Sequence, residues 1–323
     1  MKRFAAIVIL CAILILGCWW FFGAEESEVV TPEKVSEKVD QLSDRPSELR
    51  KLIDRSGAEI EALDNYFRVV SYAPAITELL VDLGYGDRIV AITSYDKGDG
   101  VVGEPKVFDM VNPDMEGLLV LEPDLILVGE LTAEGGADPL IEFRKMGTTV
   151  ASFPTANTIA DIYLDLEFMG ELLGEKETAD ALVQDMKRQI AEISAITDKI
   201  EDKKSVYFEI SPAPYMYSTG DETYLNQMIS IAGGENVFAD DQTSWISVTD
   251  EMVIAANPDV IITNVTYVDD AVAEIEKRNG WGDITAIKNG EVFLVENNPT
   301  SLPTRNILTG IREMAKDMYP ELF

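Results

Sequence analysis

Histidine is absent from all 323 residues, and cysteine occurs only twice, at Cys11 and Cys18. Without histidine the chain lacks the commonest general base near neutral pH and the commonest transition-metal ligand. Both cysteines lie near the amino terminus, so the remainder can form no disulfide, no thiolate nucleophile and no cysteine-based zinc or iron–sulfur site. Positive charge is scarce: 26 Lys and Arg stand against 58 Asp and Glu, a formal net charge of −32. Like charge repels nucleic acid and anionic lipid within about a Debye length, so neither is an expected partner, whereas a cationic protein surface is. The sequence also lacks a P-loop, a G-x-S-x-G elbow and a G-x-G-x-x-G joining strand to helix. The acid pairs Asp240–Asp241 and Asp269–Asp270 lack the spacing of a calcium loop and read as solvated surface.

What the sequence does contain begins with an address. Lys2 and Arg3 precede an unbroken apolar run from Phe4 to Ala24, long enough as a helix to span roughly 30 Å of bilayer core. The basic end stays cytoplasmic, which places the rest outside. Two forms fit. "ILGC" (Ile15–Cys18) resembles a lipoprotein processing site with Cys18 as the lipidated residue; alternatively the helix is uncleaved, with Trp19, Trp20, Phe21 and Phe22 as an aromatic belt. Residues 25–66 read as a charged spacer with weak helical periodicity.

From Arg68 short apolar strands alternate with helices, the pattern of a mostly parallel sheet covered on both faces. "RVVSY", "RIVAIT", "LILVG" and "TTVASF" are strands of a first lobe, residues 68–154; "APAITELLVDLG" is a helix opened near Pro74 and closed by Gly84. Residues 155–200 form a helical stretch with an apolar stripe at Ile159, Ile162, Tyr163, Leu166, Met169, Leu172 and Leu173, interrupted at Gly174. It reads as one long helix joining two lobes. "SVYFEI" opens the second, residues 204–323.

One arrangement occurs twice. In "EGLLVLEPDLILVG" and "EMVIAANPDVIIT" a glutamate, Glu116 or Glu251, stands seven residues before a Pro-Asp that opens an apolar strand. Each glutamate falls in the first turn of a short helix, where the macrodipole alone favours a carboxylate by about 0.3–1 kcal/mol. The repeated phase points further, to equivalent exposed positions on two related lobes.

With "RVVSYAPAITELLVDLGYGDRIVAITSY", "YSTGDETYLNQMISIAGGENVF" and "WGDITAIKNGEVFLVE", the chain from about Arg68 to Phe323 resembles the substrate-binding proteins of ABC importers, in the rigid-helix class that includes cobalamin- and ferric-siderophore-binding members. The resemblance implies an α/β fold of two lobes joined by an interlobe helix, and no enzyme activity. It implies no resident cofactor, and as ligand a cobalt- or iron-containing chelate: a corrinoid, a ferric siderophore or haem. The lack of histidine argues against the members that bind free zinc or manganese. The implied partner is a membrane permease dimer, which in cobalamin-type members receives one glutamate per lobe in arginine pockets; by motif position these are Glu116 and Glu251. Tyr95, Phe108, Tyr217 and Trp245 match positions where relatives place cleft aromatics, with Tyr72, Tyr215 and Arg305 as further candidates; Trp281 is read as structural. "DKGDG" (Asp96–Gly100) and "GELTAEGG" (Gly129–Gly136) depart from the usual cleft loops. Two rivals remain: a two-lobed α/β enzyme of glycosyltransferase or chelatase type, and a tethered adhesion protein.

Overall fold

The computed structural model describes residues 49–110, 112–129 and 139–323. The chain divides into a unit of residues 1–48 and one of residues 49–323, and the second is the subject here. The apolar run Phe4–Ala24, Cys18 and residues 25–48 of the expected spacer lie outside the described residues.

Residues 49–66 are not a helical spacer. They form an antiparallel hairpin of β1 (Arg50–Ile53) and β2 (Glu59–Ala62). The physical reason is strict alternation in β2, where Ile60 and Ala62 are buried and Glu59 and Glu61 exposed. The turn is locked by Asp54, whose Oδ1 accepts from the backbone N–H groups of Ser56 and Ala58, both at 2.9 Å.

The first lobe carries a five-stranded, all-parallel sheet in the order β5-β4-β3-β6-β7. Its members are β3 (Val69–Ser71), β4 (Ile89–Thr93), β5 (Lys106–Phe108), β6 (Leu125–Gly129) and β7 (Thr149–Phe153). Helix α1 (Pro74–Asp82) follows β3, with proline in the first turn where its missing N–H costs nothing. Short helices α2 (Met115–Leu119) and α3 (Ile141–Lys145) precede β6 and β7.

The expected interlobe helix is realised as two in tandem. Helix α4 (Ile159–Leu173) opens with a capping box between Thr158 and Asp161 and ends at Gly174, whose φ of 77° suits a residue without a Cβ. Its last carbonyls are satisfied from outside: Arg50 donates to the oxygens of Glu171 (2.8 Å) and Leu172 (2.9 Å), and the Tyr85 hydroxyl to Leu173 (2.9 Å). Helix α5 (Lys176–Thr197) then leads into the second lobe. The two helices pack so tightly that a Cβ on Gly170 would lie 2.3 Å from the Cβ of Ala179.

The second lobe repeats the sheet in shortened form, with β10 (Glu235–Asn236), β8 (Ser205–Glu209), β12 (Val260–Thr263) and β13 (Val292–Leu294) in the order β10-β8-β12-β13, again parallel. A separate antiparallel pair, β9 (Tyr217–Thr219) and β11 (Trp245–Ser247), stands beside it. Helices α6 (Tyr224–Ile231), α7 (Asp250–Ala256), α8 (Ala271–Glu276), α9 (Thr285–Asn289), α10 (Asn297–Ser301) and α11 (Ile307–Met318) complete the lobe. Alternation along the strands divides the apolar residues between two faces. Val69, Leu125, Val206, Phe208 and Ile262 join one continuous core that runs through α1, α4, α5, α6 and α11, whereas Val70, Ile126, Tyr207 and Ile261 fill two outer clusters. A core shared by both lobes resists their separation, because parting them exposes apolar surface at about 25 cal/mol per Å².

Candidate cleft and docking face

The repeated motif now has a geometry. Glu122 and Asn257, each just before its Pro-Asp, are the two non-glycine residues with positive φ among those described, at 45° and 46°. The aspartates that follow do one job twice. Asp124 accepts from the backbone N–H groups of Phe67 (2.9 Å) and Arg68 (3.0 Å), at the start of β3. Asp259 accepts from the N–H (3.0 Å) and hydroxyl (2.7 Å) of Ser205, at the start of β8. Each Pro-Asp therefore ends a helix, turns the chain, and pins the neighbouring strand at its amino end.

Since α2 and α7 each run back toward the amino end of a parallel strand, their first turns face the carboxyl edges of the sheets. There Glu116 and Glu251 are both exposed. Each follows its N-cap by two residues: Asp114 accepts from Gly117 N at 2.9 Å, and Thr249 from Met252 N at 3.4 Å. The Glu251 carboxyl is held below the usual range by its own backbone N–H and by Thr249. At the other helix Lys106 Nζ lies 2.7 Å from Asp114, over Gly117, and a Cβ on that glycine would collide with the ion pair.

The carboxyl edges also frame a cleft between the lobes. A mainly apolar cavity of ≈ 150 Å³ is lined by Tyr72, Ile76, Met110, Phe153, Pro154 and Asp165 of the first lobe and α4, and by Pro303 of the second. A polar cavity of ≈ 180 Å³ is lined by Pro74, Tyr95, Asp96, Lys97, Asp99, Asn297, Asn298 and Leu302. Two bonds cross between the lobes nearby, from Thr304 Oγ1 to Glu78 (2.6 Å) and from Arg305 to Asp82 (3.0 Å). Burial raises the Glu78 carboxyl above its ordinary range, against the bond from Thr304.

The expected ligand residues do not all share this place. Tyr95 lines the polar cavity and is 64% exposed. Tyr217 and Trp245, each 44% exposed, lie on one face of the β9–β11 ladder, and Tyr215 stands free beside them. Tyr72 is buried but contributes to the apolar wall, and loss of hydration pushes its hydroxyl up to about 12. Phe108 is a correction: it packs against Tyr72 with ring centroids 4.6 Å apart, inside the outer core of the first lobe, because the third residue of a three-residue strand points inward here. Arg305 bonds to Asp82 in a polar groove that shares Glu78, Lys97, Asp99 and Asn298 with the polar cavity. Trp281, read as structural, is fully buried and donates to Asp250 at 2.7 Å. Residues 130–138, most of the unusual loop 129–136, lie outside the described residues.

Sequence reasoning missed Asp165. The signal was present: it stands at the i+3 position from Ile162 and i−4 from Met169, an acid within the apolar stripe of α4. Also missed was a buried network below the ligand-side loop of the second lobe. Arg278 donates to both oxygens of Glu209, at 2.6 and 3.0 Å, and stacks over Trp281 at 4.3 Å. Burial opposes the Arg278 charge, but its hydrogen bonds to Glu209 and Glu274 outweigh it and hold its pKa above the ordinary value; burial in turn raises the Glu209 carboxyl, against the bonds it accepts from Arg278.

Comparison with known proteins agrees on one family. The model of the periplasmic binding protein family matches residues 69–299. An uncharacterised ABC transporter substrate-binding lipoprotein of Bacillus subtilis is 32% identical over 273 residues, covering 84% of this chain and 85% of its own length. A vitamin B12-binding protein of Vibrio parahaemolyticus is 24% identical over 77% of this chain and 88% of its own. Among solved structures, a possible iron-binding (periplasmic solute-binding) protein of Staphylococcus epidermidis superimposes with a TM-score of 0.70 at 31% identity, covering 79% of this chain and 99% of that one.

Proposed function

The chain belongs to the periplasmic binding protein family as a substrate-binding protein of an ABC importer, and from that premise we propose that it captures a metal chelate between its lobes. The chelate is a corrinoid, a ferric siderophore or haem. The observations that carry this reading are the apolar cleft wall around Tyr72 and Phe153 and the pairing of half-exposed Tyr217 and Trp245 on one face of a short β ladder. Such rings give a large rigid ligand contact area at low entropic cost. Relatives named for vitamin B12 and for haem point to the same ligand class. The family signature and the absence of a poised catalytic constellation in the sequence favour binding over catalysis.

In the proposed cycle the protein stands on the extracytoplasmic face, tethered by a lipid on Cys18 or by its uncleaved amino-terminal helix. The shared core allows only a small movement of the lobes as ligand enters. Glu116 and Glu251 then enter arginine pockets of a permease dimer, where two separated carboxylates on a stiff body fix orientation as well as affinity. Calorimetric titration of the full chain with cyanocobalamin, a ferric trihydroxamate, a ferric catecholate and haemin tests the reading. At least one chelate is expected to bind in the micromolar range or tighter. Trp245→Ala should weaken it about tenfold, the order of a lost aromatic contact. No binding of any chelate, or equal affinity in the variant, overturns the reading.

A further inference from the structure

The charges around the cleft separate the chelate classes that the fold leaves together. Asp165 is the one charged residue among the described residues of the apolar cavity wall. It is 5% exposed, and Arg55, from the turn of the amino-terminal hairpin, donates from Nε to its Oδ1 at 2.6 Å. Arg55 also lies 3.8 Å from Asp161 one turn earlier, so its charge is divided between two carboxylates. Burial pushes the Asp165 carboxyl up to about 6, against the bond from Arg55. In the polar cavity, Glu78, Asp96 and Asp99 stand with Lys97 as the cation among its described wall residues.

A ligand in this cleft thus meets carboxylates on both flanks, Asp165 in buried surroundings where water screens poorly and Asp96 and Asp99 at a more open edge. A chelate with an anionic rim, such as a haem with its propionates or a ferric catecholate, brings like charge beside a buried carboxylate whose donor is Arg55. A neutral chelate with amide N–H groups on its rim meets acceptors instead, and hydrogen bonds to a carboxylate are among the stronger ones. We propose that Asp165 is a specificity-determining residue of the cleft, selecting neutral, amide-rimmed chelates and rejecting anionic ones. This rests on the chelate-binding reading above and narrows it. Corrinoids and ferric trihydroxamates share the required chemistry.

The test is a titration of the full chain, native and Asp165→Asn, with cyanocobalamin, ferrichrome, haemin and a ferric catecholate at neutral pH. The native protein should bind cyanocobalamin or ferrichrome about 100-fold tighter than either anionic chelate, and the arm that binds identifies the source. Asp165→Asn should weaken the neutral chelate by about threefold to tenfold and strengthen the anionic ones by about tenfold, so the ratio collapses. A merely structural role would weaken all of them alike. Arg55→Gln supplies a second reading should the first variant fail to fold: it removes the bond that opposes burial at Asp165, the carboxyl takes up a proton, and the ratio should narrow by about threefold. An anionic chelate bound as tightly as a neutral one, or a ratio that neither Asp165→Asn nor Arg55→Gln narrows, overturns the assignment while leaving the chelate reading intact. Absence of binding to all four overturns both.

Discussion

The two lobes share one plan and differ in furnishing. In each, a capped short helix carries an exposed glutamate, a left-handed residue stands just before the Pro-Asp, and the aspartate pins the amino end of the strand beside it. Strand orders β4-β3-β6-β7 and β10-β8-β12-β13 correspond position by position. The side chains set on that plan do not repeat: the first lobe and α4 offer an apolar wall with one carboxylate, and the second carries half-exposed aromatics and a buried ion pair. The backbone frame and its exposed glutamate are duplicated, and the rest has diverged.

Symmetry of the docking face is the first thing to break. Charge reversal at both sites, Glu116→Arg with Glu251→Arg, should lower transport into cells or proteoliposomes more than 100-fold, since each introduced arginine would meet the like charge of its proposed pocket. Calorimetric affinity for the chelate should stay within about twofold. Either single reversal should fall between, and loss of chelate affinity in the double variant would show that the glutamates serve the cleft instead.

The strand clamps should be unequal. Asp259→Ala removes bonds that are partly buried, whereas those of Asp124 are exposed and water can replace them. Chemical denaturation should find Asp259→Ala costing about 2–3 kcal/mol and Asp124→Ala about 1 kcal/mol. The reverse order would contradict this reading of exposure.

The smallest contrast lies at the left-handed residues. Glu122→Gly should stabilise the fold by about 0.5 kcal/mol, because a Cβ is disfavoured at that φ. Asn257→Gly should instead destabilise by about 1 kcal/mol: asparagine tolerates the conformation, and its side chain accepts from Thr285 N and donates to Thr285 Oγ1, both at 2.9 Å. Equal shifts in the denaturation midpoint would break the distinction.

Much of this was legible in the chain. The stripe through Ile162, Leu166 and Met169, the proline that opens α1, and the apolar runs of β6 and β12 each obey a local period or a local backbone constraint. The hairpin at residues 50–62 was misread because its alternation is short and its charges mimic a solvated helix; docking of Arg50 and Arg55 onto α4, more than a hundred residues away, stabilises it. Phe108 and Tyr95 look alike in sequence, and only packing separates them, one against Tyr72 and one in the cleft.

The sequence by itself determined the lobes, the repeated glutamates and the acidic character, because periodicity, spacing and composition are local or additive properties. Tertiary structure alone decided which acid faces an apolar cavity, which aromatic is core, and which arginine is already engaged. Those outcomes depend on what stands opposite each side chain, and distant segments supply it: Arg55 for Asp165, Asp82 for Arg305, and Glu209 for Arg278.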